Sequence, residues 1–313
     1  MRILVTGAAG FIGSHVCERL LGEKYQVIGI DNIDPYYNPE IKRNNLKVLH
    51  KYKNFISCQV SILDFEGLKK IFAGHKPDKI VHLAAKVGVR PSFRNKAEYE
   101  SVNIKGTENL LKLSCEFKAK NFVFGSSSSV YGVIKGASRE KDELKPISVY
   151  AITKKDGEAL CRKYHDLCGL NVTILRFFTV YGPRGRPDMA IYKFTKLIDE
   201  GKVIEMYGEG STRRDYTYVE DIVSGIINAL HEDFSFEIFN LGNNNAVELK
   251  YIISVIEKNL GKKAMIKKMP MQNGDVPLTY ADITKSKKLL KYNPKTRIEE
   301  GIKKFVEWYK KMK

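Results

Sequence analysis

Short apolar runs alternate with helical repeats through the first two-thirds of the chain. RILVT (2–6), QVIGID (26–31), FISCQV (55–60), KIVHLAA (79–85), NFVFGSS (121–127), NVTILRFF (171–178) and FEIFNLG (236–242) are apolar nearly throughout, with little strict alternation. That is the pattern of strands covered on both faces. Helical patterns fall between several of them, at 14–21, 97–117 and 148–168. Strand and helix in turn predict an α/β fold, a doubly wound parallel sheet. The last third changes character. It predicts a helix near 189–200, a strand VIEMY (203–207), helices at 248–260 and 283–291, and a final helix with Ile298, Ile302, Phe305 and Tyr309 in one buried stripe. The expected division is a nucleotide-binding domain over 1–178, regained at about 217–242, and a smaller α/β lobe from 179–216 and 243–313.

Composition narrows the classes. With 313 residues, 43% hydrophobic and 28% charged, the chain reads as an ordinary folded protein. No run approaches the roughly 18–20 apolar residues of a membrane span, so no membrane partner is expected. The N-terminal MRILVTGAAGFIG is too short and Gly-rich for a secretory signal, which points to a cytoplasmic protein. The net charge of +17 raises the question of nucleic acid, and the excess lies late: sixteen Lys/Arg against six Asp/Glu over 257–313. Most are lysines on polar faces, without arginine–aromatic interleaving. A solvated surface suited to heat is the simpler reading, and no nucleic-acid partner is expected. A positive field also favours an anionic small molecule. Cys17, Cys58, Cys115, Cys161 and Cys168 contain no CxxC pair; they are expected to be reduced thiols, and no metal site is expected.

Two segments carry chemistry. TGAAGFIG sets Gly7, Gly10 and Gly13 directly after a strand and before a helix, where glycines let the backbone approach a pyrophosphate. Asp31 ends the next strand, 18 residues after Gly13. A carboxylate there suits a ribose 2′-hydroxyl and repels a 2′-phosphate, so the expected cofactor is NAD. The second segment is SVYAITKKDGE, in which Tyr150 and Lys154 share a helix face, with a serine cluster GSSSSVYG (125–132) beyond the fifth strand. A tyrosine with its ordinary pKa near 10 is a poor base. A neighbouring ammonium and a cationic nicotinamide would bring its phenolate towards working pH.

With these residues in place the chain resembles the extended short-chain dehydrogenase/reductase family, and its nucleotide-sugar epimerase branch in particular. The likeness runs through TGAAGFIG, HLAA (82–85), VNIKGT (102–107), SSSSVYG, YAITK, RRDYTYVEDI and GDVPLTYAD. It implies a Rossmann sheet and a homodimer formed through 97–117 and 148–168. It makes Tyr150 the acid/base, Lys154 its partner on the nicotinamide ribose, and Ser127 the helper at the sugar 4-hydroxyl. The cofactor lining would add Phe11, Ile12, Asn32, Ile62, Leu83, Ala84, Ala85, Lys86 and Ser126. One departure is Ser61-Ile62, where many relatives have Asp-Ile.

Dehydratases and sugar-acid decarboxylases of this superfamily usually carry an acid just before VYG; here the position is Ser129. The chemistry implied is oxidation at carbon 4, rotation of the 4-keto sugar and reduction on its other face. The stretch FFTVYGPRGRPDMA (177–190), with DNIDPYYNPEIKRNNL (31–46) and MQNGDVPLTYAD (271–282), is similar to UDP-glucuronate 4-epimerases, whereas UDP-glucose/galactose epimerases resemble RYFNVYG at the first of these. A uronate carboxylate calls for an arginine and hydroxyl donors. Arg186 with Thr179, and Ser128 and Ser129, are the candidates, and pinning the carboxylate would oppose loss of CO2 from a β-keto acid. Arg214 is matched to the diphosphate and Asp275 to the uridine ribose, while Gln272 stands where glucose-type relatives often have arginine. Arg184 has two readings, anion ligand or surface ion pair. Two other readings stay open: a UDP-glucose/galactose 4-epimerase, and a non-catalytic RNA-binding or regulatory member of the fold.

Overall fold

The computed structural model describes residues 1–270 and 275–312. Six strands follow one another through the first part: β1 (Arg2–Thr6), β2 (Gln26–Ile30), β3 (Phe55–Cys58), β4 (Lys79–His82), β5 (Asn121–Ser127) and β6 (Asn171–Phe177). The chain then forms β7 (Thr179–Tyr181), β8 (Val203–Tyr207) and β9 (Arg213–Tyr218), returns as β10 (Phe236–Leu241), and leaves through β11 (Ala246–Glu248) and β12 (Met265–Met269). The central sheet has seven parallel strands in the order β10-β6-β5-β4-β1-β2-β3. Strand order reverses direction between β1 and β4, and ligands in such sheets bind outside the carboxyl ends of the strands at that point. Two small sheets, β11-β9-β7 and β12-β8, complete the set.

The helices are α1 (Phe11–Gly22), α2 (Pro39–Leu49), α3 (Phe65–His75), α4 (Val89–Arg94), α5 (Lys96–Glu100), α6 (Gly106–Glu116), α7 (Val149–Cys168), α8 (Ala190–Asp199), α9 (Val219–His231), α10 (Leu249–Leu260), α11 (Thr284–Leu290) and α12 (Ile298–Lys311). One apolar core joins the α1 and α9 face of the sheet to the C-terminal helices, and a second packs α3, α6 and α7 on the other face. Coverage on both sides is why the strands read as unbroken apolar runs. The stripe of α12 is buried as expected.

Three expectations change. The helix expected at 14–21 begins earlier, at Phe11. The run expected as one helix over 97–117 is interrupted by a π-helical turn at Ser101–Lys105, which joins α5 to α6. The strand expected over 79–85 ends at His82, because the amides of Leu83 and Ala84 both donate to the Thr6 hydroxyl, 3.1 Å each.

The cysteines need a further correction, for they are not all reduced thiols. Cys115 near the end of α6 and Cys168 at the end of α7 form a disulfide, with Cα atoms 6.0 Å apart. Helix packing brings together residues 53 apart in sequence, which local spacing does not reveal. Cys17, Cys58 and Cys161 remain free. Closing a loop of that length restricts the unfolded chain and typically stabilises by about 2–4 kcal/mol. Cys168→Ser, or reductant added to the unmodified protein, is therefore expected to lower the calorimetric midpoint by several degrees; equal midpoints would show that the link contributes nothing. Among the described residues, no helix is long and apolar enough to cross a membrane, and no cluster of His, Cys, Asp and Glu could hold a metal.

Candidate active site

The carboxyl ends of the central strands open into a cavity of about 470 Å³. It is lined at one end by Gly7, Gly10, Phe11, Ile12, Gly13, Asp31, Asn32 and Ile62, and in the middle by Leu83, Ala84, Ala85, Lys86 and Ser126. Ser127, Ser128, Ser129, Tyr150, Lys154, Thr179, Arg186, Arg214 and Asp275 complete it. The structure thus brings these expected residues into one space. Gln272, whose missing arginine was noted above, lies outside the described residues.

The glycine end is a cradle that side chains would fill. Gly7 has φ +70°, and a Cβ there would lie 3.0 Å from the Ala84 amide; a Cβ on Gly13 would sit 2.0 Å from the Gly7 carbonyl. Backbone contacts this close leave room only for glycine, and the N-terminus of α1 faces the space it keeps clear. Asp31 is fixed by the amides of Ala9 (3.1 Å) and Ile33 (2.8 Å) and by the Lys42 ammonium (3.3 Å). Lys42 is a residue that the sequence reading passed over. Its place on α2 puts it eleven residues from Asp31, and only the fold turns its buried side chain back. Lys86 is held by Asp34 (2.8 Å) and Glu98 (2.6 Å), and its amide by Asn103 (2.7 Å) at the π-turn. Asn103 also donates to Thr153, whose hydroxyl donates to the Tyr150 carbonyl, tying that turn to α7.

At the chemical end, Ser148 caps α7 by accepting from the Ala151 amide at 3.1 Å, which sets Tyr150 in the first turn. The positive end of the helix dipole lies there, a favourable place for a phenolate. Burial pushes the Tyr150 pKa up; hydrogen bonding to Ser127 and the charge of Arg186 pull it down. Arg186, which the sequence reading assigned only to the substrate carboxylate, thus also acts on Tyr150. Burial lowers Lys154 to about 8, against the opposing influences of Cys161 and Glu158. Its ammonium donates to the Gly125 carbonyl at 2.7 Å over the face of Phe124. The serines form their own chain, Ser129 Oγ donating to Ser127 Oγ at 2.9 Å.

Beneath them lies a buried pair. Arg176 meets Glu158 through both ends of its fork, Nε to Oε1 at 2.9 Å and Nη2 to Oε2 at 2.7 Å, and Ser126 donates to the same carboxylate at 2.5 Å. Breaking such a pair strands a buried charge and typically costs about 3–5 kcal/mol. Glu158→Ala is expected to lose about that much in denaturant unfolding, and Glu158→Leu with Arg176→Met to recover most of it. Equal losses in the single and double variants would refute the ion-pair account.

The two arginines of GPRGRP separate cleanly. Arg184, at φ +61°, pairs with Glu18 of α1, while His15 Nε2 donates to the Pro183 carbonyl at 2.9 Å. Arg184 is thus an ion pair outside the cavity. Arg186 lies within it, Nε to Asp188 Oδ1 at 3.0 Å and Nη2 to Oδ2 at 2.7 Å. Asp188 also accepts from the Tyr36 hydroxyl at 3.3 Å. At the far end Asp275 pairs with Arg90 at 2.9 Å, and burial lowers the Arg214 pKa against the pull of Tyr216 and Asp275. Asp188, Tyr36, Arg90 and Glu158 were not singled out from sequence.

A family model described as GDP-mannose 4,6 dehydratase matches residues 4–305. The chain belongs to that branch of the extended short-chain dehydrogenases/reductases. A UDP-glucuronate 4-epimerase of Thermodesulfobacterium geofontis is 44% identical over 98% of this chain and 95% of its own length. The crystal structure of a UDP-glucuronic acid 4-epimerase from Bacillus cereus, in complex with UDP-glucuronic acid and NAD, superposes with TM-score 0.96 at 37% identity, covering all of both chains. A UDP-glucose 4-epimerase from Thermotoga maritima, solved with UDP-glucose, gives 0.92 at 34%, covering all of this chain and 99% of the other. As an extended reductase the chain has the seven-stranded parallel sheet expected from its sequence.

Proposed function

We propose that the protein interconverts UDP-glucuronate and UDP-galacturonate by epimerising carbon 4 with bound NAD. The observation that carries this is Arg186, a guanidinium facing the same cavity as Tyr150, where a sugar carboxylate would lie. The likeness to UDP-glucuronate 4-epimerases supports it. Bound NAD would supply the hydride acceptor and donor for carbon 4. Gly7, Gly10 and Gly13 would receive its pyrophosphate and Asp31 its adenosine ribose. Tyr150 takes the 4-hydroxyl proton and, once the 4-keto sugar has turned its other face to the cofactor, returns it to the same oxygen; Ser127 shares that proton and Lys154 would hold the nicotinamide ribose. Arg186, Thr179, Ser128 and Ser129 hold the uronate, Arg214 the diphosphate and Asp275 the uridine ribose. In this reading residues 179–216 and 243–313 form the sugar-nucleotide lobe over a cofactor domain.

A UDP-glucose 4-epimerase is the second reading, favoured by the fit to the Thermotoga enzyme. Incubating the purified protein separately with UDP-glucuronate and UDP-glucose, with no added cofactor, decides between them. Conversion of the first alone supports the proposal and tightly held NAD; conversion of UDP-glucose alone refutes it. We also propose a cytoplasmic homodimer through α6 and α7 that binds no nucleic acid. Ile152 and Leu167, exposed on α7, supply apolar surface for that contact.

A further inference from the structure

We infer that Asp188 is a positioning residue that selects which edge of Arg186 meets the substrate carboxylate; the inference rests on the uronate reading above. A guanidinium can present two double-donor edges, Nε with Nη2 or Nη1 with Nη2. Asp188 takes the first with both of its oxygens, at 3.0 and 2.7 Å. Among the described residues, Arg186 Nη1 makes no hydrogen bond, so the second edge is the one left for a ligand. Asp188 is itself fixed from the other side by the Tyr36 hydroxyl, and the Arg186 guanidinium stands 5.9 Å from the Tyr36 ring centre. Its carboxyl sits below the usual carboxylate range: burial alone would raise it, and the Arg186 contact brings it down. Asp188 is therefore an ionised partner that can keep its place when the substrate arrives.

This arrangement solves a problem of flexibility. A long arginine side chain loses conformational freedom when it binds, and a fork held in advance loses less. Tyr36 belongs to the loop that follows Asp31, which places the support for the sugar end next to the residue at the ribose end of the cavity.

The test uses the full chain with its retained NAD. Asp188→Ala is expected to raise KM for UDP-glucuronate at least about tenfold, with a smaller change in kcat, since a positioning defect weakens binding before chemistry. Asp188→Asn, isosteric and still able to accept one N–H, is expected to fall between Ala and wild type, and Tyr36→Phe to shift KM by a few-fold in the same direction. NAD content measured after denaturation shows whether the fold survives; if the alanine variant does not fold, the asparagine variant decides by the same criterion. KM within twofold of wild type, or a fall in kcat alone, overturns the inference. Wild-type protein that fails to convert UDP-glucuronate overturns the proposed function and this inference together, whereas normal wild-type turnover with an unmoved KM in the variants overturns only this one.

Discussion

Arg186→Ala is expected to lower kcat/KM for UDP-glucuronate by about a thousandfold or more. Removing one member of a buried, hydrogen-bonded charge pair costs about 2–5 kcal/mol, roughly 30- to 5,000-fold. Here the upper part of that range applies, because the substitution leaves Asp188 behind. A site that paired a uronate with an arginine would then confront it with a second carboxylate, and like charges at close range repel even where solvent reaches one of them. Activity loss should fall on the charged substrate far more than on binding of UDP-glucose, which has no carboxylate to be repelled. Steady-state kinetics with UDP-glucuronate, beside calorimetric titration with both sugars, reads this directly. An alanine variant with wild-type kcat/KM would remove the carboxylate clamp from the account. The same substitution takes away a positive charge that acts on Tyr150, so part of the loss should appear in kcat.

Tyr150→Phe is expected to lower kcat by about 10²- to 10⁴-fold, the usual scale for removing a positioned acid/base. Substrate binding should be nearly unchanged, since the ring remains and only the hydroxyl is lost. The fold should survive too: the described contacts that seat this turn of α7 run through the Ser148 cap and the Tyr150 backbone carbonyl, which phenylalanine keeps. Single-turnover measurement of epimerisation, with NAD content and UDP-glucuronate affinity as controls, separates loss of chemistry from loss of structure. A phenylalanine variant retaining more than about a tenth of wild-type kcat would rule out Tyr150 as the principal acid/base.

What the sequence revealed follows from what local spacing can encode. Strands buried on both faces announce themselves as apolar runs, so every strand of the central sheet was legible, with its end placed to within about three residues. Tyr150 and Lys154 share a helix face by their spacing alone. The small sheets were harder. MIKKM (265–269) is mostly exposed and RRDYTY (213–218) opens with charge, so neither forms an apolar run, and each becomes a strand through its pairing with distant chain. The π-turn at 101–105 inserts into a run whose helical periodicity looks continuous. Contacts made across the fold stayed hidden for the same reason: Lys42 with Asp31, Glu158 with Arg176, and Cys115 with Cys168. Asp188 is a different case. It stands two residues from Arg186, but nothing in a loop's sequence says which way two neighbouring side chains turn.

The turn that carries Arg186 hangs from α1: the Pro183 carbonyl on His15, and Arg184 on Glu18 one helical turn further along. Arg184 holds a left-handed backbone conformation that favours glycine, a departure tolerated where surrounding contacts over-determine it. Residues 182–189 are therefore not an interchangeable cassette. Transplanted alone into a scaffold that handles neutral sugars, they would bring the arginine without the two pegs on which its loop is hung. An exchange that moved preference for acidic sugars between relatives would have to carry positions 15 and 18 along with it. Substrate choice, on this view, is written partly into the helix whose first turn faces the cofactor.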